Sequence, residues 1–490
     1  MDLRFEKNRR KYESTARLLL LMATKEIARD ATIRFEHSLG VGIYVTVDGL
    51  VLSTTKLRRI EDKMHDIASQ NLPIRQETWE VDKAIAFFEE KGQMDTAELL
   101  RFQKGDTVTL TVCGNYIDFL TGQTAEHTGD IDSFSLRLFY PGMVLILKSM
   151  SQVISQGVFK DRPKLMRAYS EFSDWSRIQA CSNATDLNEI IRSGSYRDFI
   201  RISESFQSRA ITSIAEEIAD LGCKVVFIAG PSSSGKTTFA NRLAIELKVS
   251  GRHPIPISLD NYYKNRADIP IGENGKPDLE CIESIDTDLF NDQLLELLQG
   301  EVVEIPLYSF FTKNRETEGK RVSVGDRDVL IVEGIHGLNP VIGADVPSES
   351  KYRIYVSPLT PLNLDNHNRL RATDIRLLRR LVRDARTRNT EINETLDMWD
   401  DVKIGEIKYI YPYMEEANVV FNTTLSYEIP VLKTHVYRML SQVPADSPHY
   451  SSIQRIRQFL DFFVDILDES EIPPISILRE FIGGCTFYDK

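Results

Sequence analysis

The chain has 490 residues, a formal net charge of -12 and 42% hydrophobic residues. This length predicts about three domains, and the composition is ordinary for a globular protein with a sizeable core. No apolar run approaches the roughly 20 residues that span a bilayer, so we expect no membrane segment, and the acidic balance argues against broad nucleic-acid binding. Five scattered cysteines and an amino terminus without an apolar signal core predict reduced thiols and a cytoplasmic location.

Residues 1–150 mix helical and alternating patterns, which predict an independent α+β domain. We expect helices at residues 12–30, 57–70, 82–91 and 94–102, and a strand of β-branched residues at 107–112. Alternation over residues 33–51, together with the turn Asp48-Gly49, indicates a hairpin.

Three motifs in this region resemble the second amino-terminal domain of threonyl-tRNA synthetases, which edits mischarged tRNA: Glu13-Ser-Thr-Ala-Arg17-Leu-Leu, Phe35-Glu-His-Ser-Leu-Gly and Thr111-Val-Cys113-Gly-Asn. In that family the first motif reads His-Ser-x-Ala-His, and a Cys-x-x-x-His follows later. Glu13, Arg17 and Ile117 stand at the histidine positions, and Cys113 alone is retained. A Glu and an Arg cannot replace two neutral imidazole ligands. The resemblance therefore implies a retained fold without metal binding or editing, with Cys113 as a small buried residue.

Residues 151–222 are rich in helical patterns, at 163–175 and 186–207 with a break near Ser193-Gly194. Asp186 opens the second pattern, where an acid favours a helix start. We interpret this stretch as a helical connector that packs against both flanking domains, and we assign it no chemistry.

A strand followed by a phosphate loop opens residues 223–440. The apolar run 225–229 predicts a strand buried on both faces, and Gly230-Pro-Ser232-Ser233-Ser234-Gly235-Lys236-Thr237-Thr238 contains the phosphate-loop pattern. Its backbone N–H groups and Lys236 can hold a polyphosphate, and the Thr237 hydroxyl can ligate Mg²⁺. Helical spacing at 237–247 turns a helix N-terminus toward the anion. The predicted fold class is α/β, a P-loop NTPase with a parallel sheet flanked by helices, preceded by the α+β domain.

Two carboxylates end predicted strands of this region. Asp260 ends the strand predicted to begin at Pro254, and ligands bind at the carboxyl ends of strands in open α/β sheets. There it can accept a proton from a substrate hydroxyl that attacks a γ-phosphate; the alternative is a turn-forming Asp before Asn261. Glu333 ends the strand at 328–333 and resembles the second acidic motif of nucleotide kinases, which holds Mg²⁺ or its waters.

Residues 366–390 contain eight arginines and only two acids. Arg376, Arg380 and Arg383 follow a spacing that places them on one helix face, where they repel unless an anion lies between them. The alternative is a solvated face, which is less favoured because few acids are available as partners. We interpret the segment as a lid that closes over a triphosphate and stabilises the transferring phosphoryl group.

Five motifs in order resemble the uridine kinase branch of the uridine kinase and phosphoribulokinase superfamily, over about residues 223–435: Gly230-Pro-Ser-Ser-Ser-Gly-Lys-Thr-Thr-Phe, Ser258-Leu-Asp-Asn-Tyr-Tyr, Ile305-Pro-Leu-Tyr-Ser-Phe, Val332-Glu-Gly-Ile and Arg379-Arg-Leu-Val-Arg-Asp. The resemblance implies Asp260 as the catalytic base, with Lys236 and Arg383 completing the catalytic set. It implies phosphate binding by the loop, Thr238 and Arg388, and Mg²⁺ binding by Thr237 and Glu333. The implied substrate residues are Tyr263, Glu283, Tyr308, Phe310, Lys313 and Arg380.

The resemblance implies an ATP- or GTP-dependent kinase for the 5′-hydroxyl of a nucleoside, uridine or cytidine. Two departures bear on this substrate. Lys313 stands where the family has a histidine that reads the pyrimidine, and Thr390 replaces a lid arginine. Lysine can donate to a carbonyl but cannot stack or accept. Two alternatives stay open: a phosphoribulokinase-like kinase of another small alcohol or polyol, and an RNA-binding regulator switched by a nucleotide.

Residues 441–490 predict a C-terminal helical extension. An apolar stripe indicates an amphipathic helix at residues 453–467; its members are Ile453, Ile456, Phe459, Leu460, Phe463 and Leu467. The stripe packs either against the kinase core or against a second subunit of a homo-oligomer.

Overall fold

The computed structural model describes residues 3–147, 159–272, 275, 277–309 and 312–487. Within these ranges, no helix combines the length and apolar character needed to cross a membrane. One cluster of buried side chains includes Phe88, Leu187, Val226 and Leu460, so a continuous core crosses the domain boundaries predicted at 150, 222 and 440. Those boundaries stay a prediction.

The amino-terminal part contains two antiparallel sheets and several helices. In chain order these are α1 (Leu3–Ile27), β1 (Thr32–Leu39), β2 (Gly42–Asp48), α2 (Thr54–Ser69), β3 (Ile74–Glu80), α3 (Val81–Glu90), α4 (Met94–Leu100), β4 (Thr107–Cys113), β5 (Tyr116–Asp118), β6 (Phe134–Phe139) and β7 (Gly142–Leu147). The strand order is β1-β2-β7-β6 in one sheet and β3-β4-β5 in the other.

The first hairpin turns earlier than the sequence predicts. Leu39 pairs with Gly42, so the chain reverses at Gly40-Val41. Gly40 has φ +60° there, a left-handed conformation that glycine adopts at little cost. Asp48-Gly49 ends β2 instead of forming the hairpin turn.

Three helices connect this part to the central sheet: α5 (Pro163–Ile178), α6 (Ala184–Arg192) and α7 (Tyr196–Leu221). α6 begins with a capping box, in which the Asn183 side chain and the Asp186 side chain each accept a hydrogen bond from the other residue's backbone N–H. The predicted break lies between α6 and α7, where Gly194 has φ +81°.

The central sheet has five parallel strands. The elements here are β8 (Val225–Ala229), α8 (Lys236–Val249), β9 (His253–Ser258), α9 (Thr287–Leu298), β10 (Val303–Ile305), β11 (Tyr308–Ser309), β12 (Asn314–Arg315), β13 (Lys320–Val322), β14 (Asp328–Glu333), β15 (Lys351–Ser357), α10 (Ala372–Thr387), α11 (Ile392–Gly405), β16 (Val419–Asn422) and α12 (Glu428–Ser441). The order is β16-β15-β8-β14-β9, and every neighbouring pair is parallel. All residues of β8 are buried, as expected for a strand covered on both faces.

The chain ends with α13 (Tyr450–Asp461) and the short α14 (Arg479–Ile482). Ile453, Ile456, Phe459 and Leu460 are buried in the same cluster as side chains of α10 and α12. The stripe therefore packs against the kinase part of its own chain. Leu467 was expected on this stripe, but it lies beyond the end of α13 and is 82% exposed.

Candidate active site at the phosphate loop

The phosphate loop joins the carboxyl end of β8 to the first residue of α8. Gly230 passes so close to β15 that a Cβ there would collide with the carbonyl oxygen of Val356. Ser233 and Gly235 have left-handed φ values of +58° and +88°. Successive N–H groups of such a loop turn inward, and the first-turn amides of α8 point the same way.

The loop fits a polyphosphate. The hydroxyls of Ser233 and Ser234 are buried and have no hydrogen-bond partner within the described part of the chain. Buried hydroxyls are ordinarily satisfied, and phosphate oxygens would satisfy these two. Lys236 Nζ donates to the carbonyl oxygen of Pro231 at 3.2 Å, so the ammonium group lies over its own loop.

Asp260 lies in the 3-10 turn Leu259–Tyr262 that follows β9, two residues beyond the end of that strand, and Glu333 ends the neighbouring strand β14. β9 and β14 pair in parallel with Ser258 opposite Glu333, and the Ser258 hydroxyl donates to Glu333 at 3.4 Å. Burial raises the pKa of Asp260, and the charges of Lys236 and Arg388 oppose that rise. Burial and then the charge of Asp260 raise the pKa of Glu333, again opposed by Lys236. Asp260 and Glu333 thus lie near enough to Lys236 for its charge to lower the pKa of both carboxyl groups.

Such a site can hold a divalent cation through Thr237 and Glu333, because carboxylate and hydroxyl oxygens suit Mg²⁺. No group of three or more His, Cys, Asp or Glu side chains in the described ranges could hold a metal alone. This agrees with the chemistry of Mg²⁺, which is usually bound by one or two protein oxygens with phosphates and water.

An aromatic pair lies close to Asp260. The rings of Tyr263 and Tyr308 have centroids 5.4 Å apart, and the Tyr263 hydroxyl donates to the carbonyl oxygen of Leu279 at 2.8 Å. Burial, Asp260 and then Glu280 raise the pKa of Tyr263. The binding of an acceptor by these two tyrosines stays a prediction.

Glu280 was missed by the sequence reasoning. Burial and then the charge of Glu406 raise its pKa to about 8, while Arg380 and Lys236 oppose the rise. Its neighbour Glu283, the predicted substrate ligand, has an exposed side chain. Sequence pattern alone could not separate these two glutamates, which lie three residues apart in an irregular segment.

Lys313, a further predicted substrate residue, is exposed and lies at the turn between β11 and β12, with φ +57°. No described contact places its side chain against the phosphate loop. Phe310, also predicted to bind substrate, falls outside the described residues.

Four of the five arginines of α10 are paired with acids, contrary to the expectation that partners are scarce. Arg376 pairs with Glu406 through both terminal guanidinium nitrogens, Nη1 and Nη2, and Arg379 pairs with Glu428 at 2.7 Å. These acids come from distant parts of the chain, which is why counting acids within 366–390 underestimates the partners.

Asp384 is the anion between Arg380, Arg383 and Arg388 of the segment predicted as a lid. Its carboxylate is fully buried and lies 3.1 Å from Arg380, 2.9 Å from Arg383 and 3.7 Å from Arg388. Arg388 is the most exposed of the three, at 56%. Burial and the charge of Arg383 lower the pKa of Arg380 and of Arg388, and the Asp384 carboxylate opposes this lowering.

α10 also lies directly on the phosphate loop. Arg376 donates to the carbonyl oxygen of Ser232 at 3.0 Å, and Arg380 donates to the Ser232 hydroxyl at 3.1 Å. Arg379 donates to the carbonyl oxygen of Ser234 at 3.4 Å. The helix predicted as a lid therefore contacts the loop that it would close.

In the amino-terminal part, Glu13 and Arg17 contact the chain that leads into α10. Glu13 pairs with Arg369 at 2.8 Å, and Arg17 donates to the carbonyl oxygen of His367 at 2.9 Å. Cys113 is buried, and burial raises the pKa of its thiol. A buried thiol with a raised pKa is a poor nucleophile.

A strand, a phosphate loop and a helix on a five-stranded parallel sheet, with two carboxylates beside the loop lysine, define a P-loop kinase fold. Residues 225–429 match the model of the "Phosphoribulokinase / Uridine kinase family". A uridine kinase from Leuconostoc citreum is 30% identical over 40% of this chain and 85% of its own length. One from Vibrio cholerae is 30% identical over 44% of this chain and 96% of its own length. The chain belongs to the phosphoribulokinase and uridine kinase family, and it is a kinase-type phosphotransferase.

Among solved structures, this chain is similar to a "possible uridine kinase" from Bacillus stearothermophilus. The two are 20% identical, and the match covers 43% of this chain and 97% of that one with a TM-score of 0.27. This low score supports no further inference about the site.

Proposed function

We propose that this protein transfers the γ-phosphoryl group of Mg-ATP or Mg-GTP to the 5′-hydroxyl of a nucleoside, uridine or cytidine. The observation that carries the proposal is the arrangement at one edge of the sheet: Asp260 directly follows β9, Glu333 ends the neighbouring strand β14, and the phosphate loop with Lys236 follows the next strand, β8. It combines a group that binds phosphate with a group that accepts a proton.

Each residue of the site has a defined task in this proposal. Lys236 and the amides of the phosphate loop bind the phosphates, and Thr237 and Glu333 would hold Mg²⁺. Bound magnesium supplies charge stabilisation to the phosphoryl oxygens. Asp260 accepts the proton of the attacking hydroxyl, and its burial raises its pKa toward a range useful for a base.

The acceptor lies between the tyrosines and the lid. Tyr263 and Tyr308 offer ring faces to a base or sugar. Glu280 and Arg380 offer polar groups for hydroxyls, and Glu280 replaces Glu283 in this role because Glu283 is exposed. Arg383 and Arg388 stabilise the transferring phosphoryl group.

One observation favours the second candidate, a kinase of another small alcohol or polyol. Lys313, at the position expected to read a pyrimidine, is exposed in a hairpin turn. A substrate without a base would need no residue there. The two candidates share Asp260 and differ only in the acceptor.

For the amino-terminal part we propose a synthetase-like module over residues 1–150, joined by the connector 151–222 to the kinase part 223–440 and the extension 441–490. Glu13 and Arg17 stand at two of the family's histidine positions and cannot act as imidazole ligands. Their side chains instead contact Arg369 and His367 of the same chain. An RNA-binding regulator gains no support from these contacts.

A panel of nucleosides and sugar alcohols, each with Mg-ATP and with Mg-GTP, tests the proposal by the release of nucleoside diphosphate. Uridine and cytidine should be turned over and Asp260→Asn should lower kcat by about 10²–10⁴-fold, since it removes the base. Asp292→Asn, an exposed carboxylate on α9, is the matched control. Turnover of sugars alone supports the second candidate, and full activity of Asp260→Asn removes this residue from the chemistry.

A further inference from the structure

The carboxyl-terminal extension places a carboxylate in the phosphate loop. Glu480, on α14, accepts a hydrogen bond from the Thr238 hydroxyl at 2.6 Å and lies 3.4 Å from the Thr238 amide nitrogen. These two residues are 242 positions apart, and Thr238 is fully buried. The contact is a tertiary one, built by the fold.

Thr238 belongs to the first turn of α8, whose amides have no acceptor within the helix. Such amides and the positive end of the helix dipole attract anions, and in a phosphate loop the anion is the nucleotide. Glu480 is an anion already present at this position. A phosphate group and this carboxylate cannot both accept from Thr238 without strong repulsion.

The neighbouring residues hold Glu480 in place. Ile477 packs on Gly235 so closely that a Cβ at Gly235 would collide with its methyl group. Ile477, Leu478 and Phe481 are all fully buried. The Ser476 hydroxyl donates to the buried Glu204 at 2.5 Å. The segment is therefore docked by apolar contacts as well as by Glu480.

The same segment contacts the lid helix. The Arg379 guanidinium lies over the Phe481 ring, 5.2 Å from its centroid, and Arg386 Nε donates to the carbonyl oxygen of Phe481 at 3.3 Å. One short stretch thus bridges the phosphate loop and α10. A movement of this stretch would affect both walls of the nucleotide site.

The charge balance favours its release when nucleotide binds. Glu480 already adds to the negative potential that raises the pKa of Glu333, and Asp260 lies in the same group. Phosphates would add further negative charge beside these three carboxylates, while Lys236 and the α10 arginines that donate to the loop supply the positive charge. Departure of Glu480 lowers this repulsion and frees the Thr238 donors.

We propose that residues 476–482 form an autoinhibitory segment in which Glu480 substitutes for a nucleotide phosphate at Thr238. This inference rests on the proposed function, because it requires that the loop binds a Mg-nucleotide. The nucleotide and the docked segment compete for Thr238. Only molecules with an undocked segment are competent to bind nucleotide, so the apparent affinity is the intrinsic affinity multiplied by the undocked fraction.

The first test is the affinity for a non-hydrolysable Mg-ATP analogue, measured by calorimetry. Glu480→Gln keeps the side-chain shape and removes the charge, and it should tighten binding about tenfold, within the usual range of such couplings. Glu471→Gln is the matched control, because this carboxylate of the same extension pairs with Arg201 on α7. It should bind as the wild type does.

The outcomes separate the two proposals. Equal or weaker binding by a folded Glu480→Gln variant overturns the autoinhibitory segment and leaves the kinase proposal standing. If neither protein binds the analogue, both proposals fall. Lys236→Ala in the Glu480→Gln background should abolish the gain, which shows that the gain arises at the phosphate loop.

The second test needs no variant. Several amides of residues 479–482 donate to carbonyl oxygens of Ser476 and Leu478 and are protected from hydrogen exchange in the docked state. Saturation of the wild-type protein with the Mg-ATP analogue should raise exchange across 476–482, while α8 becomes more protected. Unchanged or lower exchange in 476–482 with bound nucleotide overturns the proposal.

Discussion

Glu13 and Arg369 form a buried ion pair, 2.8 Å long, across 356 positions of the chain. Burial alone would raise the pKa of Glu13, but Arg369 and Arg371 outweigh it and hold the pKa well below its usual value. Asn368 adds side-chain hydrogen bonds to Phe119 and Thr121. The amino-terminal part therefore holds the chain segment that leads into the lid helix.

Removal of Glu13 should destabilise the protein strongly. Glu13→Ala leaves Arg369 buried without its counter-charge, which costs about 3–5 kcal/mol. The change should appear as a shift of the first unfolding transition in urea. Glu171→Ala breaks an exposed pair with Arg167 on α5 and should cost no more than about 0.5 kcal/mol. Equal shifts for both variants would contradict a structural role for Glu13.

Neutralisation of Asp384 should impair phosphoryl transfer. Asp384→Asn keeps the shape of the side chain but removes the charge that gathers Arg380, Arg383 and Arg388. Misplaced catalytic groups cost about 10²-fold in rate, so we expect a loss of that order in kcat. Asp400→Asn, which affects a pair with Lys403 on α11, is the control. A thermally stable Asp384→Asn variant with normal kcat would refute the assigned role.

Glu280 should make the stability of the ligand-free protein depend on pH. Its pKa rises from 4.5 to about 8 in the folded protein. Between these values the folded state holds a proton that the unfolded chain has released, so stability falls as pH rises through this window.

Thermal unfolding checks this dependence. Glu280→Gln should match the wild type at about pH 5 and melt at a higher temperature at about pH 8.5, because the amide cannot ionise. The exposed neighbour gives the control, since Glu283→Gln should follow the wild type at both pH values. A constant difference between Glu280→Gln and wild type at the two pH values would show that Glu280 is not protonated in the fold.

Local sequence pattern was sufficient for the central strand, the phosphate loop and α8. A β-branched run, a glycine-rich turn and helical spacing each act within a few residues. The kinase family was likewise predicted from sequence motifs that lie at the ends of strands. These features depend little on the rest of the chain.

Features made by distant residues could not be read in the same way. Glu406 and Glu428 neutralise Arg376 and Arg379, yet no sequence pattern near these arginines predicts the two ion pairs. The sequence pattern did not predict a role for Glu480 either, because it cannot distinguish this acidic residue of a short C-terminal helix from a solvent-exposed charge. Long-range ion pairs depend on tertiary placement, which periodicity does not contain.

The chain from β15 to α10 serves two modules at once. Phe35 of β1 donates its amide to the carbonyl oxygen of Asn366 and accepts from the Asn363 side chain. If either part were joined to an unrelated protein, the polar groups at this interface would therefore lose their hydrogen-bond partners. A substitution at Arg369 should therefore require a compensating substitution at Glu13, because the two residues form one buried ion pair.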